Sequence, residues 1–412
     1  MNQKELDTYL DKYAKLIVET GVNVRKNHTV VLRIAVDQVV LARKIVKEAY
    51  QHGAKQVILQ WSDDLIQREF FLHADEECLT TIPEYKVDEM NDWVEKGASR
   101  ISIISSNPDA LKGIDSDRIA TYQSAMGKAS TTMMEATQSN KVSWLVAAAA
   151  GSEWAAKVFP ELASSEEQVM ALWDQIFKTT RIYDKDPVQS WTDHDALLTK
   201  KAQELNEAQF DALHYTAPGT DLIVGLPKNH VWSGASSLNS RGEKFMPNMP
   251  TEEVFTAPDC RRVDGTIVST KPLSYAGTTI SGMSFTFKDG LITEFSAEQG
   301  EEVLGKLLAT DEGAKKLGEV ALVPDPSPIS QSGVTFYNTL FDENASNHLA
   351  VGQAYAFCVE NGTEMSYTEL QEAGLNRSTT HVDFMVGSNQ MNIDGIKSDG
   401  TRVPVFRNGD WA

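Results

Sequence analysis

The segment TVVLRIAV (29–36) most restricts what this chain can become. A run so dense in Val, Leu and Ile reads as a strand buried on both faces, the kind found at the centre of a parallel sheet. Helical spacing precedes it: Leu6, Tyr9, Leu10, Tyr13, Leu16 and Ile17 recur at three and four residues, and Gly21 marks the stop. Val39 to Tyr50 reads as a second helix, closed by Gly53. KQVILQW (55–61), SRISIISS (99–106) and KVSWLVAAAAG (141–151) then read as further strands. Strands separated by helices demand crossover connections. The expectation is an α/β N-terminal domain built on a mostly parallel, doubly wound sheet.

A chain of 412 residues is too long for one core, so a second domain is expected. Residues 165–207 read as two long helices, including EEQVMALWDQIFKTT. Beyond them the texture changes to short strands such as DLIVGLP and MSFTF, with Asp289-Gly290 as a hairpin turn. The division expected is 1–207, an α/β shielding and dimerisation domain, and 208–412, a β-rich α+β domain carrying the metal chemistry described below.

Charge and composition exclude several functions. With 58 acidic and 38 basic residues, a net charge of −20, the chain is a poor match for nucleic acid or an anionic membrane. The most apolar stretch, Trp144 to Ala150, is far short of the ~20 residues a membrane helix needs. Cys78, Cys260 and Cys358 are sparse and unpaired in spacing, as in a reduced, cytoplasmic protein. No G-x-G-x-x-G follows the first strand and no G-x-x-x-x-G-K-[ST] occurs, which disfavours a nucleotide-dependent oxidoreductase.

The polar residues that stand out lie in the second half. In HVDFMVGS, His381 and Asp383 are two apart in a strand-like run and so share a face, with Cα atoms roughly 6.5–7 Å apart. His348, in FDENASNHLAVGQAY, is seven residues from Tyr355; read as a helix capped by Ser346 or Asn347, the segment puts both on one face. Glu253, in MPTEEVFTAP, and Glu319, in LGEVALVPD, place carboxylates at the heads of apolar runs, where a lone buried charge is costly. His214 and His230 read as structural, with substrate contact as the alternative. Two Glu, one Asp and two His without a thiolate suit Zn²⁺, Mn²⁺ or Co²⁺ in an open site. Five ligands with a bridging carboxylate suffice for two ions ~3.5–4 Å apart. On the residues alone, a dinuclear hydrolase of a phosphoester, or a metal- or peptide-binding protein without activity, stays open; Arg241 and Arg377 are the candidate phosphate cations.

NMPTEEVFTAPD, LGEVALVPDPSPIS, FYNTLFDENASNHLAVGQAY and GLNRSTTHVDFMVGS, taken together and in order, resemble the thermophilic-type metallo-aminopeptidases of the aminopeptidase S and aminopeptidase T family. The likeness runs the full chain, and ATQSNKVSWLVAAAAG, WDQIFKTTRI and GIKSDGTRVPVFRNGDWA are most like its bacterial PepS branch. The resemblance implies two divalent ions per chain, held by Glu253, Glu319, His348, His381 and Asp383, with Tyr355 as the catalytic tyrosine. Many relatives have Gly where this chain has Glu252, so Glu252 and Glu253 compete for one ligand position. The implied reaction is release of N-terminal residues from short peptides by a metal-activated water. Glu253 or Glu319 would move the proton, Tyr355 would donate to the oxyanion, and a metal ion or a spare acid such as Glu252 or Asp342 would anchor the α-amine. The resemblance also implies a homodimer.

Overall fold

Four parallel strands form the sheet that the alternation predicts: β1 (Thr29–Ala35), β2 (Gln56–Ser62), β3 (Ser99–Ile104) and β4 (Trp144–Ala148), in the order β2-β1-β3-β4. These come from a computed structural model that describes residues 1–105, 107–276 and 278–412; Ser106, the last residue of the expected third strand, lies outside them. Helix α1 (Gln3–Leu16) opens with a capping box, Asn2 and Glu5 each accepting the other's backbone N–H, and buries Leu6, Leu10 and Tyr13. Then come α2 (Val39–Gln51), α3 (Asp64–His73), α4 (Glu84–Glu95) and α5 (Ser116–Ala129). Val31 packs with Met90 and Trp93 of α4, and Met126 and Ala129 of α5 join the same cluster.

The sheet is less covered than its apolar sequences suggest, and one expectation, a first strand buried on both faces, fails in part. Strand β2 is at the sheet edge and half open, with Leu59 and Trp61 exposed. In β1 every residue from Thr29 to Ile34 is buried except Arg33, which is exposed although its strand is internal. The apolar run therefore carries one charge that the sheet does not cover.

The chain divides into two units, Met1–Asp193 with Ser236–Pro250, and His194–Ala235 with Thr251–Ala412. The division falls inside the helix Pro187–Ala208 rather than after it, and the excursion 236–250 belongs to the first unit. That excursion has a backbone reason: Val146 of β4 donates to Pro247 O and accepts from Met249 N, so the loop satisfies the open edge of the sheet.

In the second unit the strands are antiparallel. One sheet has eight strands, running from Leu291–Ser296 at one edge to Asp410–Trp411 at the other. Its hairpin 284–296 turns at Asp289-Gly290, both at positive φ. The other sheet has five strands, including β5 (Val254–Thr256), β6 (Leu317–Leu322), β7 (His348–Gly352) and β8 (His381–Met385), in the order β8-β7-β6-β5 and then Ser233–Gly234. One core joins the two sheets: Leu213, Val224 and Phe285 from the larger, Val320, Leu349 and Phe384 from the smaller. Among the described residues no helix is long and apolar enough to cross a membrane.

Candidate metal centre

The register of the five-stranded sheet sorts its residues by face. Val320, Leu349 and Phe384 lie opposite one another across β6, β7 and β8 and enter the core. The alternate residues of each strand point the other way: Glu319 on β6, His348 on β7, His381 and Asp383 on β8. Glu319 reaches that face through an irregularity. Leu317 also enters the core, and strict alternation would send residue 319 after it; a register shift between Leu317 and Glu319 reverses the parity. The bulge residue is Gly318, where a Cβ would lie 2.3 Å from Gly352 O.

On that face the carboxylates and imidazoles converge. His348 Nε2 is 3.1 Å from Glu253 Oε2 and 3.7 Å from Glu319 Oε1. His381 Nε2 is 3.6 Å from Glu319 Oε2 and 3.5 Å from Asp383 Oδ1. Glu319 thus turns one oxygen to each histidine. Two overlapping triads result, Glu253–Glu319–His348 and Glu319–His381–Asp383, each with its donor atoms within 4.8 Å of one another. Both histidines are fixed from behind: His348 Nδ1 meets Ser346 O at 3.2 Å, and His381 Nδ1 meets Gln353 O at 2.7 Å. A carbonyl only accepts, so each Nδ1 carries the hydrogen and each Nε2 faces the cluster, as metal-ligating imidazoles require.

The electrostatics call for a cation. Glu253, Glu319 and Asp383 are buried, and beyond the 3.5 Å approach of His381 Nε2, Asp383 Oδ1 has no hydrogen-bond partner among the described residues. Burial raises the Glu319 carboxyl, against the lowering effect of His348 and His381. Burial would pull both histidines down, but the carboxylates win. Glu253 and Glu319 hold His348 well above its ordinary range, and Asp383 and Glu319 push His381 up to about 10. For Asp383 burial is outweighed by the two histidines, and its carboxyl is lowered. Glu343, which the sequence reading passed over, joins the group; burial and then the charges of Asp383 and Glu253 push it well up. The sequence sets it beside Asp342 in FDENASN with nothing to tell the two apart; only the structure shows its neighbours Asp342, Asn344 and Ser346 to be buried.

Tyr355 reaches the cluster by another route than expected. NHLAVG is a buried strand, not a helix, so His348 and Tyr355 share no helix face. Gly352 ends the strand at φ 106, and Tyr355 follows in extended conformation. Its ring lies 5.3 Å from that of His381, stacked on Phe357 and edge-on to Phe255. Burial, then the charges of Glu319 and Asp383, raise the phenol well above its usual value, so it remains a donor. Ser346 and Asn347 cap nothing; Asn347 Oδ1 accepts from Val323 N and so ties β6 to β7.

A family profile described as thermophilic metalloprotease (M29) matches residues 6–411. The chain belongs to the M29 metalloproteases. It is 61% identical over 402 residues to aminopeptidase PepS of Streptococcus thermophilus, covering 98% of this chain and 97% of that one. It is 54% identical to aminopeptidase AmpS of Bacillus subtilis and 40% identical to aminopeptidase T of Thermus thermophilus, each over 98% of both chains. The solved structure of wild-type AmpT from Thermus thermophilus superposes with a TM-score of 0.93 at 38% identity, covering 99% of this chain and all of that one.

The remaining candidates of this M29 chain lie elsewhere. Glu252 turns away from Glu253 to His194, Nε2 to Oε2 3.3 Å, and its N–H donates to Asn344 Oδ1. Asp342 accepts from Phe336 N and Asn338 N, so neither acid is placed as an amine anchor. His214 sits between Asp221 and Arg402, and His230 Nδ1 contacts Pro227 O. Arg377 lies over the Tyr367 ring and Arg241 pairs with Glu243 in the other unit; among the described residues no phosphate-binding cluster adjoins the carboxylates.

Proposed function

We propose that this chain is a metal-dependent aminopeptidase with a two-ion centre, Glu253, Glu319 and His348 holding one ion and Glu319, His381 and Asp383 the other. The observation that carries this is the placement of Glu319, with one oxygen 3.7 Å from His348 Nε2 and the other 3.6 Å from His381 Nε2, as a bridging carboxylate needs. Oxygen and imidazole donors without a thiolate suit zinc, cobalt or manganese. When bound, such ions supply a water acidified towards neutrality and polarise the scissile carbonyl. Glu253 or Glu319 receives the proton and returns it to the leaving amine. Tyr355, kept as a phenol by its burial, donates to the oxyanion, where one well-placed donor is worth about 2.7–4 kcal/mol. Glu343 receives the substrate α-ammonium; it lies outside both ligand triads, in the field of Asp383 and Glu253, with Asn344 Nδ2 donating to its Oε1 at 3.3 Å.

The substrates are short peptides. The first unit, read as doubly wound with helices on both faces of its sheet, serves as shield and dimerisation domain of a cytoplasmic homodimer. The names of the relatives support peptide N-termini over phosphoesters, as does the engagement of Arg377 with the Tyr367 ring. The test is hydrolysis of leucine and arginine p-nitroanilides before EDTA, after EDTA, and after readdition of Zn²⁺, Co²⁺ or Mn²⁺, beside His381→Ala. Activity that vanishes with chelator, returns with metal and is missing in the variant is expected. Activity indifferent to both treatments overturns the assignment.

A further inference from the structure

The exposed Arg33 has a setting that packing does not explain. It occupies an internal strand of a parallel sheet, where faces are normally apolar. No hydrogen-bond or ion-pair partner meets it among the described residues. It lines a cavity of about 660 Å³ in the first unit, within the size range of small-molecule sites. The position is the one where open α/β sheets bind ligands. β1 leads to β2 on one side of the sheet and β3 leads to β4 on the other, and Arg33 pairs in register with Ser102 across that divide. Ser102, Ile103 and Ile104 end β3, Trp61 and Ser62 end β2, and all five line the cavity.

The rest of the lining has a definite chemistry. Phe70 and Tyr122, rings 5.1 Å apart, give an apolar wall. Lys86 adds a second cation. Asp63 and Asp64 each commit one oxygen to backbone, Asp63 Oδ1 to the N–H of Leu65 and Ile66, Asp64 Oδ2 to that of Asn107. Their second oxygens have no partner among the described residues. A lining that holds two cations, two carboxylates and a pair of aromatic rings matches a ligand with both charges and an apolar body. No glycine-rich phosphate loop follows β1, which weighs against a nucleotide.

We propose that this cavity is a second binding site, for a zwitterionic amino acid or short peptide. Its carboxylate pairs with Arg33, its ammonium with Asp63 or Asp64, and its side chain lies against Phe70 and Tyr122. The site is separate from the carboxylate–imidazole cluster and is defined without reference to the catalytic reading.

The test uses the full chain treated with EDTA, so that no ion in the second unit can hold the probe. Calorimetric titration with L-phenylalanine is expected to saturate, and N-acetyl-L-phenylalaninamide, which lacks both charges, is expected not to bind. Arg33→Gln should weaken L-phenylalanine about tenfold or more, the loss of one charge-assisted pair, while Glu253→Ala leaves it unchanged. Asp63→Asn keeps a helix cap and removes the charge, so it should also weaken binding; it decides the matter if Arg33→Gln fails to fold. Amide exchange over residues 63–70 should slow with ligand in the parent and not in these variants. No saturation at millimolar probe, binding indifferent to both substitutions, or binding lost in Glu253→Ala overturns the proposal. Inorganic phosphate bound through Arg33 in place of the amino acid overturns the ligand class.

Discussion

At the scale of single residues, the cluster assigns separable tasks. Tyr355→Phe removes a donor and no ligand, so kcat should fall by a factor corresponding to about 2.7–4 kcal/mol, with metal content by mass spectrometry unchanged. Glu319→Ala removes the carboxylate common to both triads and should empty both positions, whereas Asp383→Ala should leave about one ion per chain; equal losses from the two would show that Glu319 does not bridge. Glu343→Gln should raise KM for peptides with metal retained, and a change confined to kcat would take it out of amine binding. His381 and Asp383 were legible because period-two alternation is a property of any strand, whatever the fold. Glu253 and Glu319 were legible as charges in apolar company, but their meeting was not, since contacts between residues 253, 319 and 348 depend on sheet order. Glu252 shows the same limit: it and Glu253 are alike in sequence, and only a histidine from a distant helix separates them.

At the scale of elements, NHLAVG defeated the sequence reading. A short apolar run with small residues suits a tightly packed helix as well as a wholly buried strand, and periodicity cannot choose between them. The structure makes it a strand paired on both sides, every residue buried. The bulge at Gly318 was equally unreadable, because parity along LGEVAL can be judged only against its neighbours in the sheet. It is also the device that brings Glu319 out of the core. Gly318→Ala forces a Cβ to 2.3 Å from Gly352 O, and the strand pair must part. Stability by urea should fall by about 1–3 kcal/mol, and metal affinity should fall with it as Glu319 shifts. Loss of stability with metal affinity intact would show that the bulge serves packing alone.

At the scale of the whole molecule, the two-part plan and the parallel sheet were visible in residue patterning, while the division within Pro187–Ala208 was not, since no composition shift marks Asp193. The protein without metal should depend on pH in a defined direction. His381 is raised from its ordinary 6.5 to about 10 by Asp383 and Glu319, against its burial. A histidine raised on folding stabilises fully below its unfolded value, and the contribution is lost as pH climbs through the folded one. The urea midpoint of EDTA-treated protein should therefore decline from pH 6.5 towards 10, and loading with Zn²⁺ should release protons and flatten the decline. A midpoint constant over that window would show that the imidazole is not charged in the absence of metal.

The ligand face is assembled from strands spread between residues 253 and 383, and of its donors only His381 and Asp383 are near neighbours in sequence. No short segment can carry either triad alone. Uptake of an ion there is thus a report on the whole five-stranded sheet, and a misfolded second unit would declare itself as a chain that takes up no metal.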